Sequence, residues 1–559
     1  MYQPPAYALL SLQIVLLTAA LTTCAAVYDR LRRMPPAARR EALGVSAALF
    51  ALAFAVRWVA APHTLIHENH HGYDYVATAG MPLSEAALYH DVPSAHRLLV
   101  ALLNRAFGPD GDPTFTLGVT LSALGVPGLF WLATRAFGSR RAGLAAASLL
   151  MFQPLALFLA PTEEPLNLTV ATACAGMALL HVGASEGSRR SLAAGCALVA
   201  AAALARDVTL PLAALAPLAM LGARRSPRLP WWTLAVACAA LGAALLPQLV
   251  SILGAMRSHR ESSGLLSMPH LPFIVRSPSL HAWYVGRDDL WLGWATPYIP
   301  TWMGAAMCAA WIFLALRCAL RRDLQATLLV VLAPLVGVLQ GSLSHGWFPG
   351  GLRHGQFSMV LALLPVAGLA DALAVLVPSR PRALAAAWLA TPALCVVAAG
   401  VARFEHAPPL PIAAEYRLLR ETVARMAPGD RFVTLPGREL RRFPATWVRS
   451  LRPDVWTVDV GQLRDSDRGA HWLVIDRVCS LDPGCFREPS SCQPGAPRRP
   501  PPRELLAEDC ATALRAHPWR LVRRSVLCAA SQAGRYSQPF DIPPRGRCAP
   551  IEVYRWSPD

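Results

Sequence analysis

Apolar runs separated by short polar stretches recur from residue 7 to residue 402. They fall near 7–27, 44–61, 115–137, 142–160, 165–184, 191–205, 208–222, 231–254, 297–317, 324–340, 356–377 and 384–402. Most are long enough to cross about 30 Å of hydrocarbon. The pattern predicts an all-α polytopic membrane domain of about twelve transmembrane helices over 1–402. The runs 191–205 and 208–222 are short and meet at Arg206-Asp207. They read either as two crossings or as a re-entrant hairpin. The ion pair reads either as an internal functional group or as a turn capped at the interface.

Beyond 402 the pattern changes. "AAEYRLLRETVARM" (413–426) has helical spacing of Leu, Val and Met, and "APGD" stops it. Runs with strand character follow at 431–436, 455–460, 471–476, 519–527 and 551–556. The expectation is a soluble α/β or α+β domain over 403–559, interrupted by the Pro/Arg loop "PGAPRRPPPRE" (494–504). Without a phosphate loop or nucleophile elbow, its expected role is to cover or scaffold the membrane part.

Composition sharpens this picture. Of 559 residues, 54% are hydrophobic and 16% charged, against about a quarter charged in a soluble chain. The net charge of +17 contains no lysine, and its arginines sit between apolar runs, at 30–40, 139–141, 189–190, 224–228, 317–322 and 379–382. That distribution marks cytoplasmic loops and argues against a nucleic-acid partner. Placing every such loop inside makes the first run cross from outside to inside and returns the C-terminus to the outside. The outer loops are then 62–114, 255–296 and 341–355. Residues 1–27 lack the basic n-region of a cleaved signal peptide.

Cysteine usage agrees with an outside tail. Cys24, Cys174, Cys196, Cys238, Cys308, Cys318 and Cys395 lie in or beside apolar runs, where a thiol is a small hydrophobe. Cys479, Cys485, Cys492, Cys510, Cys528 and Cys548 all fall in the tail. An even number in an outside-facing domain reads as a disulfide framework. No C-x-x-C spacing supports zinc there.

The first outer loop opens with "LIHENHHGYDYV" (65–76). His67-Glu68-Asn69-His70-His71 matches H-E-x-x-H, so His67, Glu68 and His71 are candidate metal groups of a membrane zinc protease. That chemistry needs both histidines on one helix face. Asn69, Gly72 and Pro62 resist a helix here, so the cluster fits better as part of a loop. Farther along, 85–108 carries Leu, Val and Phe on one side and His, Arg and Asn on the other. It predicts an amphipathic interfacial helix kinked at Pro93.

These pieces resemble the GT-C superfamily of integral-membrane glycosyltransferases, in the branch of protein mannosyltransferases and aminoarabinose transferases. Glu68 and Asp74, then "DVPSAHRLLVALLNRAFG" (91–108), match that family's large first outer loop with its acidic residue and interfacial helices. "LFWLATRAFGSRRAGLAAASLLMFQP" (129–154) looks like its next hairpin. "APTEEPLNLTVATACAGMALL" (160–180) looks like its second outer loop, with Glu163 and Glu164 at another acidic site. The resemblance implies transfer of a sugar from a polyprenyl-phosphate or pyrophosphate lipid to an extracytoplasmic lipid, glycan or protein. The implied setting is a bacterial-type inner membrane and the cell envelope.

The chemistry sets further candidates. A carboxylate, Glu68 or Asp74, would act as general base toward the acceptor, with His70 and His71 supporting substrate. The departing phosphate needs positive charge, from arginine or from a divalent metal ion. Arg206 and Arg353-His354, the latter in the glycine-rich "GSLSHGWFPGGLRHGQF" (341–357), are candidates to bind that phosphate. The aromatics of "HAWYVGRDDLWLGW" (281–294) read as a sugar platform or as an interfacial belt. A transporter or flippase for lipid-linked sugars is the competing class; it predicts internal repeats and mid-membrane charges, and neither stands out. A catalytically inactive scaffold is a third.

Overall fold

The structure is a computed structural model. It describes residues 6–60, 82–89, 92–107, 112–160, 165–222 and 230–258, parts of 312–371 and 418–475, and then 508–528 and 548–557. The described residues are mostly helical, with several apolar helices, a two-stranded hairpin and a five-stranded sheet. It divides into two compact units, one of Met1–Ala61, Ala87–Leu99 and Leu117–Ala402, the other of Pro62–Ala86, Val100–Thr116 and Arg403–Asp559.

Long helices dominate the first unit. Helix α1 spans Ala6–Arg33 and α2 spans Pro36–Ala60; Pro36 at the first position of α2 suits a residue without an N–H to offer. A two-residue hairpin of β1 (Leu88–Tyr89) and β2 (Val92–Pro93) precedes α3 (Ala95–Phe107). Then come α4 (Asp112–Phe137), α5 (Arg140–Met151), α6 (Pro154–Leu159), α7 (Leu166–Glu186) and α8 (Arg189–Ala203). A 3-10 turn at Asp207–Ala214 leads into α9 (Leu215–Gly222), and α10 spans Trp231–Ser258.

Five helices among the described residues are long and apolar enough to cross a membrane. Helix α1 shows why such a helix belongs there: Tyr7, Leu10, Ile14, Leu17 and Leu21 are exposed on it, an outward stripe that only an apolar surrounding would favour. The expected run 384–402, and all of 324–340 but Val336, lie outside the described residues.

Three details differ from the sequence reading. Pro93 does not kink a helix; it closes β2, and the helix starts after Ser94. Proline fixes φ and pushes the residue before it toward extended backbone, so a new helix begins past it. The run 142–160 is not one helix but α5 and α6, broken before Pro154 for the same reason. The polar side of α3 also does not face outward. His96, Arg97 and Asn104 are buried, while Leu102 and Phe107 are exposed.

Close backbone approach holds α7 against α8. Gly187, at φ 78°, ends α7 in the left-handed conformation, and Ser188 caps α8. A Cβ on Gly183 would meet the backbone nitrogen of Leu192 at 2.7 Å, and one on Gly195 would meet that of Leu180 at 2.8 Å. Small residues permit such packing where no hydrophobic force separates helix from lipid.

Charged groups gather at one end of this unit. Arg30 of α1 makes a two-pronged bond to Glu186 of α7, at 2.9 and 3.2 Å, and Arg135 of α4 shares that carboxylate. Asp29 pairs with Arg33 and with Arg190 of α8. Arg140 of α5 pairs with Glu41 of α2. Thus the basic stretches around 30–40, 139–141 and 189–190 share an end, as one-sided loops require.

The second unit holds a five-stranded sheet with order β4-β3-β5-β7-β6. The strands are β3 (Arg431–Thr434), β4 (Trp456–Asp459), β5 (His471–Ile475), β6 (Arg520–Cys528) and β7 (Cys548–Trp556), each on a run expected from sequence. β3 is parallel to β4 and β5, while β7 is antiparallel to β5 and β6. Helix α11 (Glu508–Ala516) contributes Ala513 to a core with Val433, Leu473 and Ile475.

Asp430, buried just before β3, ties this core together. Its carboxylate accepts from the Ala427 and Ala470 backbone nitrogens at 2.9 and 3.1 Å and from Trp472 Nε1 at 2.8 Å. Gly469 takes φ +89°, and a Cβ there would lie 2.5 Å from the Gly429 carbonyl oxygen.

Candidate functional site at the polar end of the helical unit

The end of the first unit opposite the ion pairs is built from buried polar groups that cap helix termini. Arg57, in the last turn of α2, is fully buried. Its Nε donates to Ser122 Oγ at 2.8 Å, Nη2 donates to the Leu150 carbonyl at 3.1 Å, and Nη1 donates to the carbonyls of Met151 and Ala53 at 3.4 and 3.3 Å. Leu150 and Met151 end α5, where carbonyls lose their intrahelical donors. A cation there also complements the helix dipole. Arg57 therefore holds the break that Pro154 creates.

The next break repeats the device. Gln153 Oε1 accepts from the Ala156 nitrogen and starts α6. Asn167, buried in the first turn of α7, donates Nδ2 to the Leu159 carbonyl at 2.9 Å, closing α6. Its Oδ1 is buried and takes no hydrogen bond from a described residue. The segment between these caps, 161–164, holds Glu163 and Glu164 and lies outside the described residues.

The end of α8 is capped from α3. The Leu204 carbonyl accepts from the Ala95 nitrogen at 2.8 Å, and the Ala205 carbonyl accepts from Ser94 Oγ. Thr209 Oγ1 reaches the Ala203 carbonyl at 3.1 Å and the Arg206 carbonyl at 2.7 Å. Arg206 is buried at the start of the 3-10 turn. His96, beside this junction, is buried, and burial with the adjacent Arg97 charge pushes its imidazole down to about 3. It is neutral at any physiological pH.

Of the residues expected from sequence to carry chemistry, the structure describes Arg206 and places it at this end. Glu68, Asp74, His67, His70, His71, Glu163, Glu164, Arg353 and His354 lie outside the described residues. Among the described residues no group of three His, Cys, Asp or Glu side chains converges to hold a metal ion. Arg57, Asn167 and His96 escaped the sequence reading. Arg57 was legible: a charge inside an apolar run, "ALAFAVRWVA" (51–60), is a functional or structural anchor by default.

No protein-family profile and no curated protein matches the chain. Solved structures do. ArnT from Cupriavidus metallidurans bound to undecaprenyl phosphate shares 13% identity at a TM-score of 0.46, covering 79% of this chain and 94% of that one. ArnT in the apo state shares 12% at 0.46, covering 92% and 98%. The Archaeoglobus fulgidus oligosaccharyltransferase with Zn and sulfate shares 11% at 0.43, covering 79% and 68%.

Proposed function

We propose that this chain is a membrane glycosyltransferase of the GT-C type. It moves a sugar from a polyprenyl-phosphate or pyrophosphate donor to a lipid, glycan or protein acceptor on the extracytoplasmic side. The supporting observation is the segregation of the helical unit. One end is closed by exposed ion pairs of the basic loops; the other gathers buried Arg57, His96, Asn167 and Arg206. Helices α2 and α6 end at that polar end; in the sequence Glu68 and Asp74 follow the first, and Glu163 and Glu164 follow the second.

In this reading the donor lipid lies against the apolar helices and its phosphate head at the polar end. Glu68 or Asp74 takes the proton from the acceptor hydroxyl or amine. The acceptor atom bonds to the anomeric carbon as the bond from that carbon to the phosphate oxygen breaks. The phosphate leaves with the electron pair, and Arg206 and Arg353, with His354, stabilise its charge. Glu163 and Glu164 orient the substrates, and His70 and His71 support them. Arg57 acts as a positioning residue, fixing the α5–α6 break that leads into the segment 161–164.

Reconstitution of the purified chain in vesicles with a panel of polyprenyl-phosphate sugars tests this. Release of the polyprenyl phosphate with sugar on an acceptor is expected for at least one donor. Movement of intact donor between leaflets with no transfer would replace this reading with a flippase.

A further inference from the structure

We propose that Cys528 and Cys548 form a disulfide that joins β6 to β7. The sheet register makes them direct partners, at the final position of the strand pair before the connecting segment 529–547. Directly opposed residues of antiparallel strands stand about 4.5 or 5.5 Å apart at Cα, and both distances fall in the usual range for bridged cysteines. Proline decides which applies. Pro550 opposes Val526, and a residue without an N–H cannot take part in a pair that exchanges two hydrogen bonds. Val526–Pro550 is therefore a non-hydrogen-bonded pair. The two kinds alternate along a ladder, so Cys528–Cys548, two residues on, is one as well. That is the closer kind. The same parity holds for Arg524–Glu552, whose side chains meet across the strands at 3.2 Å.

The proposal rests on the outside placement of the tail, since a disulfide persists in an oxidising compartment. Its chemistry is thiol–disulfide exchange with an oxidised dithiol carrier, a protein or small-molecule disulfide. One cysteine thiolate attacks a carrier sulfur, giving a mixed disulfide. The second thiolate displaces the carrier, which leaves as a dithiol with the two electrons and two protons. The bond closes 529–547 into a loop and pins β6, an edge strand, to the sheet. Cys479, Cys485, Cys492 and Cys510 are left to one another.

Arginine positions make the test direct. Membranes holding the full-length chain are quenched in acid, alkylated with N-ethylmaleimide and digested with trypsin without reduction. Cleavage after Arg524, Arg535, Arg547 and Arg555 puts the two cysteines on separate peptides, 525–535 and 548–555. Mass spectrometry should find these peptides linked, released by reduction, and still linked in Cys510→Ser. Recovery of either cysteine alkylated or joined elsewhere, while other tail cysteines are linked, overturns the pair and leaves the outside placement standing. Recovery of all six tail cysteines alkylated overturns both.

Discussion

Arg57 Nε donates to Ser122 Oγ at 2.8 Å and so binds the last turn of α2 to the middle of α4. The rest of the guanidinium spans to the carbonyls that end α5, which makes one side chain the junction of three helices. Replacing it removes hydrogen bonds to several buried acceptors; the Leu150 carbonyl keeps a bond from the Gln153 nitrogen at 3.4 Å, and each acceptor left unmet costs about 1–3 kcal/mol. Arg57→Met should lower the thermal midpoint of the detergent-solubilised protein by several degrees. Ser122→Ala should cost less, since it removes one bond. A double mutant no worse than Arg57→Met alone would show the coupling; full additivity would deny it.

Carboxylate chemistry in the first outer loop makes a separate prediction. Glu68→Gln and Asp74→Asn keep shape and remove charge. At least one should cut transfer by about 10²-fold, as loss of a general base does, with expression unchanged. His71→Ala should cost less. In a zinc protease that ranking reverses, because His71 would be a ligand. Zinc at one per chain that vanishes with His67 or His71, beside normal transfer by both carboxylate variants, would end the glycosyltransferase reading.

The α7–α8 contact should tolerate no side chain at its glycines. Gly195→Val and Gly183→Val place atoms on backbone nitrogens under 3 Å away, and yield of folded protein should collapse. Gly242→Ala on α10 is the control, because nothing lies within 4 Å of its added Cβ. Equal yields from all three would refute the close approach.

Acid should loosen the α3–α8 junction. His96 takes up its proton near pH 3 in the folded chain, against 6.5 for a free imidazole. The unfolded chain therefore binds the proton first, and stability is lost as the pH falls below about 6.5. Thermal midpoints should drop between pH 7.5 and pH 5, and His96→Gln should flatten that slope. An identical slope in the variant would exclude His96 as the cause.

Topology is open to fusion reporters. Alkaline phosphatase should be active when joined at Asp559 and inactive at Arg225. The reverse pattern would put the cluster at 67–74 in the cytoplasm.

Much of the fold was legible, for reasons specific to each element. The five tail strands stood out because Val, Ile and Trp alternate with polar residues between turn signals. Long helices stood out because lipid exposure demands apolar residues all round. What escaped was punctuation. Ser94 after Pro93 is a helix-start signal, but it was absorbed into a longer amphipathic pattern. Pro154 broke a run whose hydropathy continues across it. The inward turn of His96 and Arg97 follows from the docking of the preceding Ser94 and Ala95 on the Ala205 and Leu204 carbonyls, more than a hundred residues away, and no local pattern encodes that. Among the candidate site residues Arg206 is legible as a charge at the meeting of two apolar runs; Arg57 carries the same signal, a single arginine inside an apolar run.

The pairing of α1 with much later segments has a consequence for synthesis. Arg30 and Asp29 find their partners on Glu186 and Arg190, and Ser11 donates to the Ala244 carbonyl of α10. As the chain is made, α1 enters the bilayer before any of these exists. Helix α1 is thus made before the helices that hold it, and of Asp29's two ion pairs only the one to Arg33 lies within its own helix.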